Sequence, residues 1–96
     1  MPDYIYLMRP LRHEFFDDPT IQEREVMDAH FEYLNQATLQ GKIVLAGPCL
    51  DETFGVVILR AESNEAAQAF MLGDPAVKNK VMLAELHPLK VSLMAK

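Results

Sequence analysis

The stretch GKIVLAGPCLDETFGVVILR, residues 41–60, decides the fold that we predict for this chain. It contains two apolar runs, Ile43–Ala46 and Val56–Leu59, joined by a polar segment with glycine and proline. Apolar runs bounded by turn residues are typical of two paired β-strands. Because each run is apolar at consecutive positions, both faces of the resulting sheet must be covered.

A strand and a long helix are predicted before this hairpin. The segment Tyr4–Arg9 is apolar on both sides, which indicates a first strand. Thr20 and Glu23 have the spacing of a capping box, and residues 21 to about 40 lack glycine and proline, so a long helix is expected there. A glycine follows at the position of a helix C-cap. The helix's predicted buried face consists of Met27, Phe31, Leu34 and Ala37.

A second helix and a last strand are predicted after the hairpin. Ser63 or Asn64 provides the N-cap of the helix, which Gly73 ends. The residues expected on its buried side are Ala66, Ala67, Ala69, Phe70 and Leu72. Residues 81–93 are then predicted to form a strand. Because Pro88 has no backbone N–H to donate, this strand is expected at the edge of the sheet or interrupted by a bulge.

The element order βαββαβ predicts an α+β, ferredoxin-like sandwich. Short connections and right-handed crossovers give a four-stranded antiparallel sheet with both helices on one face. The other face is expected to remain apolar, with the candidates Tyr4, Tyr6, Met8, Val56, Ile58, Leu83 and Leu89. An exposed patch of this kind is typical of an interaction surface, so we predict a homodimer that buries sheet against sheet.

Composition limits the class of protein. A length of 96 residues fits one domain, 1–96, and 50% hydrophobic with 24% charged residues is typical of a globular chain. The chain has no apolar run near 18 residues, and its start, MPDYIY, does not resemble a secretory signal, so a cytoplasmic protein without a membrane segment is expected. With a net charge of −5 and no basic cluster, nucleic acid is not an expected partner.

His30 and Asp74 are the candidates for chemistry. An imidazole beside an apolar helical face suits acid/base catalysis near neutral pH, yet a lone histidine there is more often a boundary residue, so the pattern leaves both roles open. Asp74 precedes Pro75, which is ordinary helix-capping chemistry, and its carboxylate also suits orienting an imidazole. The histidines lack metal-ligand spacing, and no metal or cofactor is expected. Arg9 suits binding of an anionic substrate or an ion pair in an acidic loop.

Several blocks of the chain resemble the YCII-related (YciI-like) family. They are AHFEYL at 29–34, GKIVLAGP at 41–48, AESNEAAQAFMLGDPAV at 61–77 and AELHPLKV at 84–91. The resemblance implies the dimeric α+β barrel group and a catalytic histidine and aspartate, which fall on His30 and Asp74. MRPLRHEF, at 8–15, resembles one branch of the family and makes Arg9 a substrate-binding candidate. Relatives of the fold include a muconolactone isomerase and a chlorinated-lactone dehydrochlorinase, which implies proton transfer on small carbonyl-bearing rings.

Two functional hypotheses follow from the sequence. In the first, the chain is a lyase or isomerase in which His30 moves a proton on a small organic acid or lactone, and Asp74 orients the imidazole. In the second, it is a non-catalytic dimeric module that binds a small molecule or serves as an accessory subunit. The enzymatic hypothesis requires the two side chains to meet at the wall of one cavity.

Overall fold

The computed structural model of the chain describes residues 1–95. Its elements, in chain order, are β1 (Asp3–Pro10), α1 (Ile21–Leu39), β2 (Ile43–Pro48), β3 (Gly55–Arg60), α2 (Asn64–Gly73), α3 (Pro75–Lys78) and β4 (Met82–Leu89). This order confirms the predicted βαββαβ arrangement, and α3 is the short helical turn that the Asp74-Pro75 pair predicts after α2. No helix within residues 1–95 has the length and apolar character needed to cross a bilayer.

The four strands form one antiparallel sheet in the order β2-β3-β1-β4, as the ferredoxin-like prediction requires. Leu34 and Ala37 of α1 and Ala67 and Met71 of α2 join a single buried cluster with the strands, so both helices cover the same face. Pro88 lies near the end of β4, an edge strand, where a missing backbone N–H is tolerated.

Local sequence signals set the ends of the helices. The Thr20 hydroxyl accepts a hydrogen bond from the backbone N–H of Glu23 at 3.0 Å, and the Glu23 carboxylate accepts one from the backbone N–H of Thr20 at 2.8 Å. The predicted capping box is therefore present. Gly41 follows α1 with φ of +76°, a left-handed conformation that glycine adopts without strain. Ser63 is the N-cap of α2 and accepts from the backbone N–H of Ala66 at 3.1 Å.

The buried faces of the helices differ in part from those predicted. Phe31 is 71% exposed, because the buried stripe of α1 passes through residues 27, 30, 34 and 37, and Phe31 lies about 100° of rotation from His30. In α2, Ala67 and Met71 are buried as one stripe. The residues wrongly assigned to the buried side of α2 are Ala66, Ala69 and Leu72, all of which are exposed.

The prediction was also wrong about which face of β1 is covered. Tyr4, Tyr6 and Met8 are buried beneath the helices instead of lying on the open face. Their large side chains fill the space between sheet and helices, where the Tyr6 ring lies 6.4 Å from that of Phe70. The open face instead carries the alternate residues, because a one-residue shift in strand phase exchanges the two faces.

The open face keeps an apolar centre. Ile5 pairs with Ile58, and Leu7 pairs with Val56, so four aliphatic side chains lie together on adjacent strands. The assignment of Val56, Ile58, Leu83 and Leu89 to this face agrees with the strand register.

Candidate active site

His30 and Asp74 meet beside the sheet, although 44 residues separate them in the chain. His30 lies on the buried stripe of α1, and Asp74 lies at the junction of α2 and α3. The distance from His30 Nδ1 to Asp74 Oδ1 is 2.6 Å. The His30 side chain is 12% exposed and that of Asp74 is 0% exposed, so the contact is largely shielded from water.

Asp74 combines the two roles that the sequence left open. As N-cap of α3, its Oδ1 accepts from the backbone N–H of Ala76 at 3.0 Å, and Pro75 occupies the first helical turn. The same oxygen is the one that faces His30. Its other oxygen, Oδ2, accepts from the Tyr6 hydroxyl at 2.8 Å. The carboxylate thus contacts His30 of α1, the first turn of α3 and Tyr6 of β1. These hydrogen bonds compensate for its burial.

Tyr6 is the site residue that sequence reasoning missed. Burial raises the pKa of its hydroxyl far above the ordinary value, and the charge of Asp74 raises that pKa further, so Tyr6 remains a hydrogen-bond donor. Burial also raises the pKa of Tyr33, with a further contribution from Asp74. The available signal was the tyrosine pair of the first strand, Tyr4 and Tyr6, because a buried hydroxyl needs a partner. The Tyr6 hydroxyl therefore fixes the orientation of the Asp74 carboxylate through this hydrogen bond.

The hydrogen bonds define the tautomer of His30. A carboxylate only accepts, so Nδ1 carries the hydrogen, and in the neutral ring Nε2, on the other side, keeps its lone pair. A ring held in this way by a buried carboxylate has the arrangement of a general base.

A cavity of about 500 Å³ adjoins His30, between α1, the β2–β3 hairpin and the loop after β1. Its wall is mainly apolar and includes Met8, Phe15, Met27, Phe31, Leu34, Phe54, Val57 and Met82. The uncharged polar residues of the wall are Asn35, Thr38, Cys49 and Thr53. A concave apolar site with a few polar groups is the usual form of a small-molecule site.

Arg12 stabilises the part of the cavity wall that the loop after β1 forms. Its guanidinium donates to both carboxylate oxygens of Glu23, at 3.0 and 2.8 Å, and thereby ties the loop after β1 to the start of α1. The same loop supplies Phe15 and Phe16 to the cavity wall. The Arg12 hydrogen bond lowers the pKa of Glu23 from 4.5 to about 2.

Replacing Arg12 with glutamine is expected to remove an acid-sensitive part of the stability. Because the folded-state pKa of Glu23 is lowered, its contribution is complete above pH 4.5 and is lost as the pH falls towards 2. The free energy of unfolding, measured with urea across this range, should fall more steeply in the wild type than in Arg12→Gln. Parallel curves for the two proteins would contradict this coupling. Arg24→Gln, one residue after Glu23 in the first turn of α1, provides the matched control.

The structure places Arg9 apart from His30. Arg9 pairs with Leu83 of β4 and borders a second, shallow concavity with Leu7 and Glu85, on the open face of the sheet. His87 is exposed, and its Nε2 lies 3.2 Å from Glu85 Oε2. Within residues 1–95, no group of three His, Cys, Asp or Glu side chains is arranged to hold a metal ion.

Comparison with known proteins agrees with this fold. The sequence profile of the YCII-related domain matches residues 8–88. The chain belongs to the YCII-related domain family. This family member is 31% identical over 74 residues to the uncharacterized protein YjpA of Bacillus subtilis (strain 168), covering 77% of this chain and 80% of YjpA. Both His30 and Asp74 lie within the matched range, whereas Tyr6 lies just before it.

A solved structure similar to this YCII-related chain is the 5-chloro-2-hydroxyhydroquinone dehydrochlorinase TftG from Burkholderia phenoliruptrix AC1100. The TM-score is 0.67 at 24% identity, and the match covers 91% of this chain and 93% of TftG. At this level of identity the likeness establishes the shared fold.

Proposed function

We propose that this YCII-related protein is an enzyme of the lyase or isomerase type, in which His30 moves a proton on a small organic acid or lactone. The observation that carries the proposal is the 2.6 Å contact between His30 and Asp74 at the wall of an apolar cavity. Asp74 orients the imidazole and stabilises the imidazolium that forms when Nε2 takes a proton. The Tyr6 hydroxyl in turn holds Asp74.

The proposed reaction begins with removal of a proton from the carbon beside a carbonyl group. Nε2 of His30 takes the proton, and the electron pair of the broken C–H bond delocalises onto the carbonyl oxygen as an enolate. Return of the proton to a different carbon gives an isomerase. Departure of an anionic group from the neighbouring carbon, with its bonding electron pair, gives a lyase. In both reactions His30 acts first as a general base, and the protonated imidazole then acts as a general acid.

TftG supports the proposal only at the level of the fold. It is a dehydrochlorinase solved in complex with 2,5-dihydroxybenzoquinone, which is a carbonyl-bearing ring. Because a shared fold does not determine chemistry, the proposed reaction rests on the geometry around His30 in this chain.

Deuterium exchange tests the proposal without knowledge of the natural substrate. α-Angelica lactone and levulinate represent a lactone and an organic acid with related carbon skeletons. Each is incubated with the protein in deuterium oxide, and the proton signals beside the carbonyl are followed by NMR. We expect the wild type to accelerate the loss of these proton signals, relative to buffer, for at least one of the two compounds. A ligand that shifts the His30 ring signals while no exchange occurs would favour the non-catalytic binding module.

We further propose that the protein forms a homodimer through the open face of the sheet. Support comes from the aliphatic centre formed by Ile5, Leu7, Val56 and Ile58, and from the oppositely charged Arg9 and Glu85 on the same face. A two-fold axis places each such surface against its own copy, and burial of the aliphatic centre supplies the driving force.

Replacing Leu7 with aspartate is expected to convert a dimer into a monomer, because a charge in the centre of the interface would lose its hydration. Sedimentation velocity should give twice the 10.9 kDa chain mass for the wild type and the single mass for Leu7→Asp. Leu50→Asp, at a side chain that is 98% exposed in the β2–β3 loop, should remain dimeric. A monomeric wild type would contradict this assembly.

A further inference from the structure

The cavity beside His30 lacks a permanent positive charge. Within the described residues, those that line it include no lysine or arginine, and they include the acidic Glu52. The nearest guanidinium on the wall-forming loop, that of Arg12, is already paired with Glu23. Arg9 borders the concavity on the open face instead. Among the described lining residues, an anionic group inside the cavity would therefore find in His30 the one side chain that can carry a positive charge.

His30 is poorly suited to that task. Its Nδ1 is occupied by Asp74, and the negative charge of that buried carboxylate offsets the positive charge of a protonated ring. A carboxylate that enters an apolar cavity loses its hydration, and only well-placed donors or cations compensate for that loss. Sites that recognise carboxylates usually provide a guanidinium fork for this reason. The cavity thus disfavours an anionic ligand.

The volume and the wall favour a ligand larger than a single ring. At about 500 Å³, the cavity is roughly three times the ~150 Å³ that holds one benzene molecule in an apolar protein core. Four phenylalanines of the wall, Phe15, Phe16, Phe31 and Phe54, offer aromatic contacts. The Thr38 hydroxyl donates to the Leu34 carbonyl at 2.8 Å, and Asn35 offers an uncharged amide.

We infer that the cavity selects an uncharged, carbonyl-bearing compound with about two fused rings over a carboxylate of the same size. The inference rests on the proposed function and narrows it, because it favours a neutral ring compound over an organic acid as the molecule on which His30 acts. Asn35 is one of the uncharged polar residues of the wall, and a charge introduced there tests this selectivity.

Two probes of the same size test this inference: 2-naphthamide, which is neutral, and 2-naphthoate, which is anionic at neutral pH. Both are titrated into the wild-type protein, with binding measured by calorimetry and by NMR shifts of the His30 ring. We expect 2-naphthamide to bind and to shift the His30 signals. Binding of 2-naphthoate should be weaker by a factor of at least about 30, which corresponds to about 2 kcal/mol.

A lysine in the wall should reverse this preference. Asn35→Lys adds an ammonium group at the cavity and is expected to tighten 2-naphthoate binding by about tenfold or more, with little gain for 2-naphthamide. Gln36→Lys makes the same change of charge at the next residue, which is exposed and hydrogen-bonded to Glu32, and should leave both affinities unchanged.

The outcomes separate this inference from the proposed function. Equal or tighter binding of 2-naphthoate by the wild type would overturn the selectivity and leave the proton-transfer proposal intact. Binding of neither probe would overturn the predicted ligand class. Failure of the proposed function has a different readout, which is deuterium exchange that is absent or does not depend on His30.

Discussion

Replacing His30 with glutamine is expected to slow deuterium exchange at the substrate carbon by about 10²–10⁴-fold, the usual contribution of a positioned general base. Glutamine has no group that takes up a proton near neutral pH, whereas its amide still offers a donor to Asp74. The free energy of unfolding should therefore fall by no more than about 1 kcal/mol. The loss of exchange would then reflect chemistry and not unfolding.

The measurement for this variant combines the exchange assay with urea unfolding on the same preparation. His13→Gln is the matched control, because it makes the same substitution at an exposed position in the loop after β1. The His13→Gln protein should catalyse deuterium exchange into the substrate at the wild-type rate. If His30→Gln retained the full wild-type rate with a substrate that the wild type accelerates, His30 would not be the base.

Replacing Asp74 with alanine should have the largest effect on stability. The substitution removes the acceptor of the Tyr6 hydroxyl, of the Ala76 N–H and of His30, at a position that is 0% exposed. Buried donors left without acceptors carry the full cost of their lost hydration, so the free energy of unfolding should fall by about 3 kcal/mol or more. Deuterium exchange should also fall, because the imidazole loses its orientation.

Two milder variants, Asp74→Asn and Tyr6→Phe, are expected to lower the free energy of unfolding less than Asp74→Ala does. Asp74→Asn keeps one carbonyl acceptor and should lose less stability than the alanine variant, while the lost negative charge still slows exchange. Tyr6→Phe removes a single donor to Asp74 and should lower the free energy of unfolding by about 1 kcal/mol. Tyr33→Phe is its control, because the Tyr33 hydroxyl donates to the Phe70 carbonyl at 2.8 Å and does not bond Asp74.

Urea unfolding ranks the four variants, and the signals of the His30 ring report on its orientation. Tyr6→Phe should move these signals, and Tyr33→Phe should not. An Asp74→Ala protein that unfolds at the same urea concentration as the wild type would show that the buried hydrogen-bond network contributes little to the stability.

The ends of the helices were predicted correctly because their causes are local, whereas the last strand was predicted over residues 81–93 and ends at Leu89. The capping box of Thr20 and Glu23, the glycine after α1 and the Asp74-Pro75 pair each act on backbone groups within a few residues. The face of β1 was predicted wrongly because Tyr4–Arg9 is apolar on both sides. Alternation separates two sets of residues in a strand, but it does not tell which set meets the helices.

The sequence by itself determined the order of the elements, their caps and, through its resemblance to a family, the two residues of the candidate pair. Only the tertiary structure decided that His30 and Asp74 touch, that Tyr6 holds the carboxylate and that the adjoining cavity lacks a lysine or arginine among its described lining residues. The physical reason is distance along the chain. Capping acts between neighbours, whereas the site joins residues 6, 30 and 74, which come together only when the helices pack on the sheet.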